Sequence, residues 1–301
     1  MGDTEKAVAR LNPLNDYLFL KMLGEPGDEE QLLGFLNAVL KRTQKPVLVS
    51  VEIIENRTIS AEIVGDKTSI LDVRAKTADG TRVNIEVQLR NLGNMDKRSL
   101  FYWSRDYTRS IEAGDDYEKL PNVIAINIVN FEYLGTKDFH ASFHLREDTE
   151  RDYILTEALE IHFIDMMKFK RLREKDFKND TLQRWMTWFD KDSPPAVVEE
   201  VIKMDAAIQK AEARMAFVSN DKEAFRAYQM REMALSDWTS GVNHAKQEGR
   251  IEGKIEGKIE GKIEGKIEGK IEIARSMKTD KAAIEKIMQY TGLTREEIDK
   301  A

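Results

Sequence analysis

The residues best suited to chemistry stand together in one stretch, Ile70-Leu-Asp-Val-Arg-Ala-Lys-Thr-Ala-Asp-Gly-Thr-Arg-Val-Asn-Ile-Glu-Val-Gln88. Ala78-Asp79-Gly80 suits a three-residue hairpin loop, a type I turn closed by glycine in the left-handed region. Such a loop pairs Thr77 with Thr81, and counting outward sets Asp72 opposite Glu86. Residues opposite each other in a hairpin share a face, with Cβ atoms about 4.5–5.5 Å apart. Two carboxylates that close repel unless a positive charge lies between them, and a divalent cation is the natural one. Gln88 follows two residues along the same face, while Ile85 and Val87 point to the other side, toward a core. A solvated hairpin face whose acids pair across strands shows the same alternation, and spacing alone does not separate the two readings.

The elements around this hairpin follow from periodicity. Asp16 to Leu23 reads as a short helix closed by Gly24, and Glu29 to Leu40 as a second, with Leu32, Leu33, Leu36, Val39 and Leu40 on one face. Strand signals rich in Val and Ile fall at Val47–Ile54, Ser69–Lys76, Arg82–Leu89 and Asn122–Phe131. A helical stretch from Met95 to Ala113 separates the last two. The order is helix, three strands, helix, strand, an α/β (α+β) arrangement. Two more strand-like runs follow at Phe139–Leu145 and Leu159–Ile164, then helices broken at Ser193-Pro194-Pro195. The expected organisation is a domain over 1–165, a helical region over 166–245, an Ile-Glu-Gly-Lys tract over 246–273 and a helical hairpin over 274–301.

These residues carry a resemblance. Asp72, then Glu86-Val-Gln88 after a glycine-containing hairpin, resembles the PD-(D/E)XK nuclease superfamily. The closer likeness is to the Rpn family of recombination-promoting nucleases and transposases. Asn15-Asp16-Tyr-Leu-Phe19-Leu-Lys21-Met-Leu-Gly24, Arg98 with Tyr102, and Tyr117-x-x-Leu120 agree with it, as does the element order. The likeness covers about residues 11–135 well, and the helical part and glycine-rich tail loosely. Leu71 stands where the superfamily has Pro, and Gln88 where it has Lys; Gln at this position is similar to the Rpn group. Gln positions water and donates a hydrogen bond, yet carries no charge.

The resemblance implies a restriction-endonuclease-like core and hydrolysis of DNA phosphodiesters, associated with recombination or mobile elements. Asp72, Glu86 and Gln88 are its expected catalytic residues, with Asp72 and Glu86 holding Mg²⁺ or another divalent ion such as Mn²⁺. Asp16 is a candidate further acid, with helix capping as its plain structural role. The competing reading is a decayed, catalytically inactive nuclease fold kept for DNA binding or self-association. Divalent-cation binding that depends on both acids separates the two.

A basic row offers the DNA contact. Arg98, Tyr102, Arg105 and Arg109 fall at i, i+4, i+7 and i+11 of the helix, with Leu100, Trp103, Tyr107 and Ile111 opposite. The apolar side is expected on the sheet and the basic side toward phosphates, although a solvated face shows the same pattern. Lys168 to Lys178 holds six cations against two acids and reads as surface. His140 and His144 alternate with Phe139, Ala141 and Phe143, a strand pattern that sets residues four apart at about 13 Å, too far to share an ion. His162 and His244 read as ordinary residues, and Trp185 with Trp188 as core.

Composition bounds the rest. With 41% hydrophobic and 34% charged residues, no cysteine and a net charge of −7, the chain excludes disulfides and thiolate sites. No apolar run approaches the roughly 18 residues of a membrane helix. The start, Met1-Gly-Asp-Thr-Glu-Lys6, lacks an apolar signal core and the Ser or Thr of a myristoylation signal, so a cytoplasmic protein is expected. The acidic balance counts mildly against nucleic acid unless a local basic stripe does the steering. In the tract, like charges recur at i,i+4 and each Gly weakens a helix by about 1 kcal/mol relative to Ala. A helix formed mainly on self-association is expected there, a spacer or homo-oligomerisation arm, with strand alternation as the other possibility. Gly292 suits a C-cap, and Thr294 with Glu297 a capping box.

Overall fold

Runs of Val and Ile build a six-stranded sheet in the computed structural model, which describes residues 10–55, 72–112 and 114–301. Two helices lead in, α1 (Asp16–Leu23) and α2 (Glu29–Leu40). Strands β1 (Val51–Glu55), β2 (Asp72–Thr77) and β3 (Arg82–Gln88) form an antiparallel meander. Helix α3 (Met95–Thr108) then crosses over to β4 (Val123–Val129), which lies parallel to β3. The sheet continues with β6 (Leu159–Asp165), parallel to β4, and ends on β5 (His140–His144), antiparallel to β6. Helix, three strands, helix, strand is the order expected. The expected start of the second strand at Ser69, with Leu71, lies outside the described residues, as do Met1 to Ala7.

The two faces of the sheet differ in chemistry. Every residue of β4 is buried, as a strand covered on both sides requires. On one face Val73, Val83, Ile85 and Val87 join Leu18, Phe19, Phe35 and the rings of Phe169, Trp185, Trp188 and Phe189 in one core. Those rings come from α4 (Met166–Lys170) and α5 (Thr181–Phe189). Helices α6 (Pro195–Met204), begun at a proline as the sequence break suggests, and α7 (Ala206–Asn220) extend the same core. Two of the cations between Lys168 and Lys178 meet acids of later segments, Lys170 the buried Asp190 and the exposed Asp192, and Lys178 Glu200.

The other face is covered by α3, and here the structure corrects the sequence. Leu100, expected against the sheet, is 47% exposed, whereas Met95, Ser99 and Asp106 are buried and Trp103 half-buried. The cause is a polar partner: Asn127 of β4 donates from Nδ2 to Ser99 Oγ at 2.9 Å. A buried hydrogen bond thus turns a serine inward and rotates the contact stripe to Met95, Ser99, Trp103 and Asp106.

Helix α8 (Lys222–Thr279) follows, and the chain divides into two compact units between Ser236 and Asp237. In the second, α8 carries the Ile-Glu-Gly-Lys tract as helix and packs Ala274 against Ile287, Leu293 and Ile298 of α9 (Ile284–Thr291), α10 (Arg295–Lys300) and their turn. Gly292 at φ +68° and the Thr294–Glu297 capping box close that turn as the sequence indicates.

Gly34 allows α2 to approach α7. A Cβ built there would lie 2.4 Å from Cβ of Ala207. Helix propensity alone would favour Gly34→Ala by about 1 kcal/mol, but this overlap should reverse the sign and destabilise the fold by about 1–3 kcal/mol. Urea unfolding of Gly34→Ala beside Gly34→Ala/Ala207→Gly checks it: the second change should restore part of the loss.

Candidate active site

The hairpin turn sets the register of the site. Gly80 takes φ +90°, its amide donates to the Thr77 carbonyl at 3.0 Å, and the Thr77 amide donates to the Thr81 carbonyl at 2.9 Å. Asp79 closes the loop by accepting from the Thr81 amide and hydroxyl at 3.3 and 3.1 Å. Pairing then runs outward to Asp72 opposite Glu86, and Glu86 lies beside Asn127 of β4. Arg74 and Asn84 occupy the next pair on that face, with Lys76 and Arg82 beyond.

Helix α3 brings its side chains to this face because Asn127 holds Ser99. One residue earlier, Arg98 Nη2 stands 2.5 Å from Glu86 Oε1. The guanidinium thus holds the buried carboxylate as an ion pair. Glu86 is 2% exposed, and burial pushes its carboxyl up to about 7; Arg98 opposes the rise and Asp72 adds to it. Asp72 is held differently. Arg74 donates to its Oδ2 from Nε at 2.9 Å and lies within ion-pair distance through Nη2 at 2.8 Å, while Nη1 stands 4.0 Å from Asp106 Oδ1.

The basic row divides along the helix. The guanidinium carbons of Arg98 and Arg105 lie 5.7 and 5.1 Å from the ring centre of Tyr102. The Nε atoms of both arginines are buried without an acceptor. Arg109, at the end of α3, lines a small cavity with Arg74, Arg82 and Asp106. Gln88 lies on the acidic face, but its Nε2 donates to the Arg90 carbonyl at 3.0 Å. Asp16 stays apart: Asn15 caps α1, and Asp16 is bound by Arg231, whose Nε donates to Oδ1 at 3.0 Å.

Sequence reasoning missed Arg74 and Asp106. Arg74 was legible as the next same-face residue after Asp72; Asp106 was marked by being the one acid inside the basic turn. It also missed a chain on the opposite face, where β6 places His162 between its neighbours. His140 Nε2 is 2.9 Å from His162 Nδ1, whose Nε2 is 2.9 Å from Glu160 Oε1.

Asp72 and Glu86 fit a divalent cation. Mg²⁺ commonly takes one or two protein carboxylates and completes its shell with water and phosphate, and Asp72 and Glu86 stand opposite each other on one face, each now held by an arginine whose place a cation would take. Among the described residues no group of three or more His, Cys, Asp or Glu could hold a metal, so a cation here would rest on these two carboxylates alone.

A family model described as PD-(D/E)XK nuclease family transposase matches residues 13–245. The chain belongs to that family. Comparison with curated proteins and with solved structures finds no match. The matched span runs from α1 through the sheet and stops short of the Ile-Glu-Gly-Lys tract. Membership gives this PD-(D/E)XK chain a nuclease or transposase-like role, in a family whose nucleases generally use divalent metal ions. Among the described residues no helix is long and apolar enough to cross a membrane.

The raised Glu86 pKa has a stability consequence for this family member without metal. A carboxyl whose folded pKa exceeds its unfolded value of 4.5 contributes stability below pH 4.5, and that stability is lost as pH rises to about 7. Stability of the metal-free protein should therefore fall between pH 4.5 and 7, by up to about 3 kcal/mol. Glu86→Gln should flatten this dependence; denaturant melts at pH 5 and pH 8 in EDTA measure it, and an equal slope in both proteins would rule out Glu86 as the cause.

Proposed function

We propose that this chain is a divalent-cation-dependent DNA endonuclease of the cytoplasm, associated with recombination or mobile elements, with Asp72, Glu86 and Gln88 as its catalytic residues. The observation that carries the reading is Asp72 directly opposite the almost completely buried Glu86, on the face that α3 covers. Mg²⁺ or Mn²⁺ held by Asp72 and Glu86 would polarise a phosphoryl oxygen and lower the pKa of the attacking water. Arg74 fixes the orientation of Asp72 through its hydrogen bond to Oδ2. Gln88, at the superfamily's Lys position, orients water through its amide once it releases the Arg90 carbonyl.

Substrate binding follows from the cations. Arg98, Arg105 and Arg109, with Tyr102, face the acids from α3, and Lys76 and Arg82 extend the basic band along the hairpin. The buried Nε donors of Arg98 and Arg105 lack acceptors, and phosphate oxygens are acceptors of the right charge. This local band answers the net charge of −7, because screening confines attraction to nearby charges.

Two measurements test the reading. Asp72→Asn keeps the shape and removes a ligand charge, so Mg²⁺-dependent plasmid cleavage should fall about a thousandfold or more. Gln88→Ala should do less damage, since an uncharged group contributes less to charge stabilisation. Equal cleavage by wild type and folded Asp72→Asn would place the site elsewhere, and no cleavage by either would leave a DNA-binding scaffold. Replacing Arg98, Arg105 and Arg109 with Gln should weaken DNA binding across sequences. The salt slope should drop by about 0.9 for each phosphate that is no longer neutralised. The Arg105→Gln/Arg109→Gln pair, which spares the Glu86 ion pair, should show about two thirds of that drop. An unaltered slope would return the helix to a solvated face.

A further inference from the structure

Five Ile-Glu-Gly-Lys units, Ile251 to Lys270, lie within α8. A helix turns about 100° per residue, so a four-residue repeat gives every i,i+4 row a single residue type. Around the helix the rows run Ile, Glu, Gly and Lys, at about 0°, 100°, 200° and 300°. The Ile row therefore has a wholly acidic row on one flank and a wholly basic row on the other. Ile251, Ile255, Ile259, Ile263 and Ile267 are 48–54% exposed. A Cβ added at Gly253, Gly257, Gly261, Gly265 or Gly269 would meet nothing within 4 Å.

Alone, this helix is poorly supported by its own side chains. Glu and Lys of the tract sit two or six residues apart, never three or four, while like charges sit four apart. Glycine in every turn weakens it further. Each deficit is removed by a partner that covers isoleucine and presents opposite charge on each flank.

We propose that this partner is the same tract of a second copy, with the two tails parallel. Turning one copy by 180° about an axis along the pair places each Lys row against the partner's Glu row on both flanks of the Ile contact. An antiparallel pair places Lys on Lys and Glu on Glu. Charge flanking an apolar seam sets orientation in the same way in coiled coils. An Ile row at i,i+4 is also a packing ridge, and two such ridges interdigitate at a crossing angle of about −50°. The tails thus cross, and the like units make several crossing points equivalent.

A row-swapped full-length chain tests this. Glu252, Glu256, Glu260 and Glu264 become Lys, and Lys254, Lys258, Lys262 and Lys266 become Glu, which preserves composition, Ile and Gly. By sedimentation at roughly 100 µM, wild type and the swapped chain should each show twice the 34.6 kDa monomer mass. In the wild-type background, mixed Ile251→Cys and Ile267→Cys chains should oxidise to 251–251 and 267–267 links, because a parallel pair sets like units together. Replacing Ile255, Ile259 and Ile263 with Ser should return the chain to a monomer. A monomeric wild type, or a dimer indifferent to the Ser changes, would overturn the proposal. Linkage of position 251 to position 267 would overturn the parallel arrangement.

Discussion

Glu86 is a carboxylate that the sheet buries almost completely, and a buried anion needs a cation or a proton. Much of the site architecture answers that need. The three-residue turn at Gly80 sets Asp72 across from Glu86, which makes the demand for positive charge larger. The Asn127–Ser99 hydrogen bond seats α3 so that Arg98 arrives at Glu86. Arg74 does the same service for Asp72 and reaches toward Asp106. Burial outweighs the Arg98 contact and Asp72 adds to the rise, which is why the Glu86 pKa stands at about 7.

The sequence revealed the fold where local signals were strong. Gly24 ends α1 as read, although Asn15 and not Asp16 caps its start; the Ala78-Asp79-Gly80 turn sets the hairpin pairing, and Thr294 with Glu297 starts the last helix. In each case a few consecutive residues contain the whole physical cause. The face of α3 was not legible in that way. Leu100 and Trp103 share an apolar side, and only the strand order, which brings Asn127 beneath Ser99, makes a serine the inward residue.

The site shows the same division. Asp72, Glu86 and Gln88 were legible as one face because a hairpin has period two and a countable register. That Gln88 would bind the Arg90 carbonyl was not, since a flexible amide chooses among local acceptors. The His140–His162–Glu160 chain joins β5 to β6 across 22 and 2 residues, and its members become neighbours only when these strands pair. Single-residue reading of histidines cannot anticipate that. The cations from Lys168 to Lys178 look like a patch in sequence, but Asp190, Asp192 and Glu200 come from later segments to meet Lys170 and Lys178.

Charge accounting links the two halves of the nuclease reading. Asp72, Glu86 and Asp106 face Arg74, Arg98 and Arg105, so three acids and three guanidiniums stand close to balance without any ligand. A doubly charged ion added to the two acids leaves the site positive, and the arginines lose part of their counter-charge. Phosphate supplies that charge, with acceptors for the Arg98 and Arg105 Nε donors. On the proposed function, a bound cation would favour nucleic acid, and by linkage nucleic acid would favour the cation equally. Lys at position 88 would add one more positive charge to this set; Gln leaves the burden on the arginines of α3. The Asp72–Glu86 pair and the basic helix are in this sense one electrostatic unit, held in place by the Asn127–Ser99 bond.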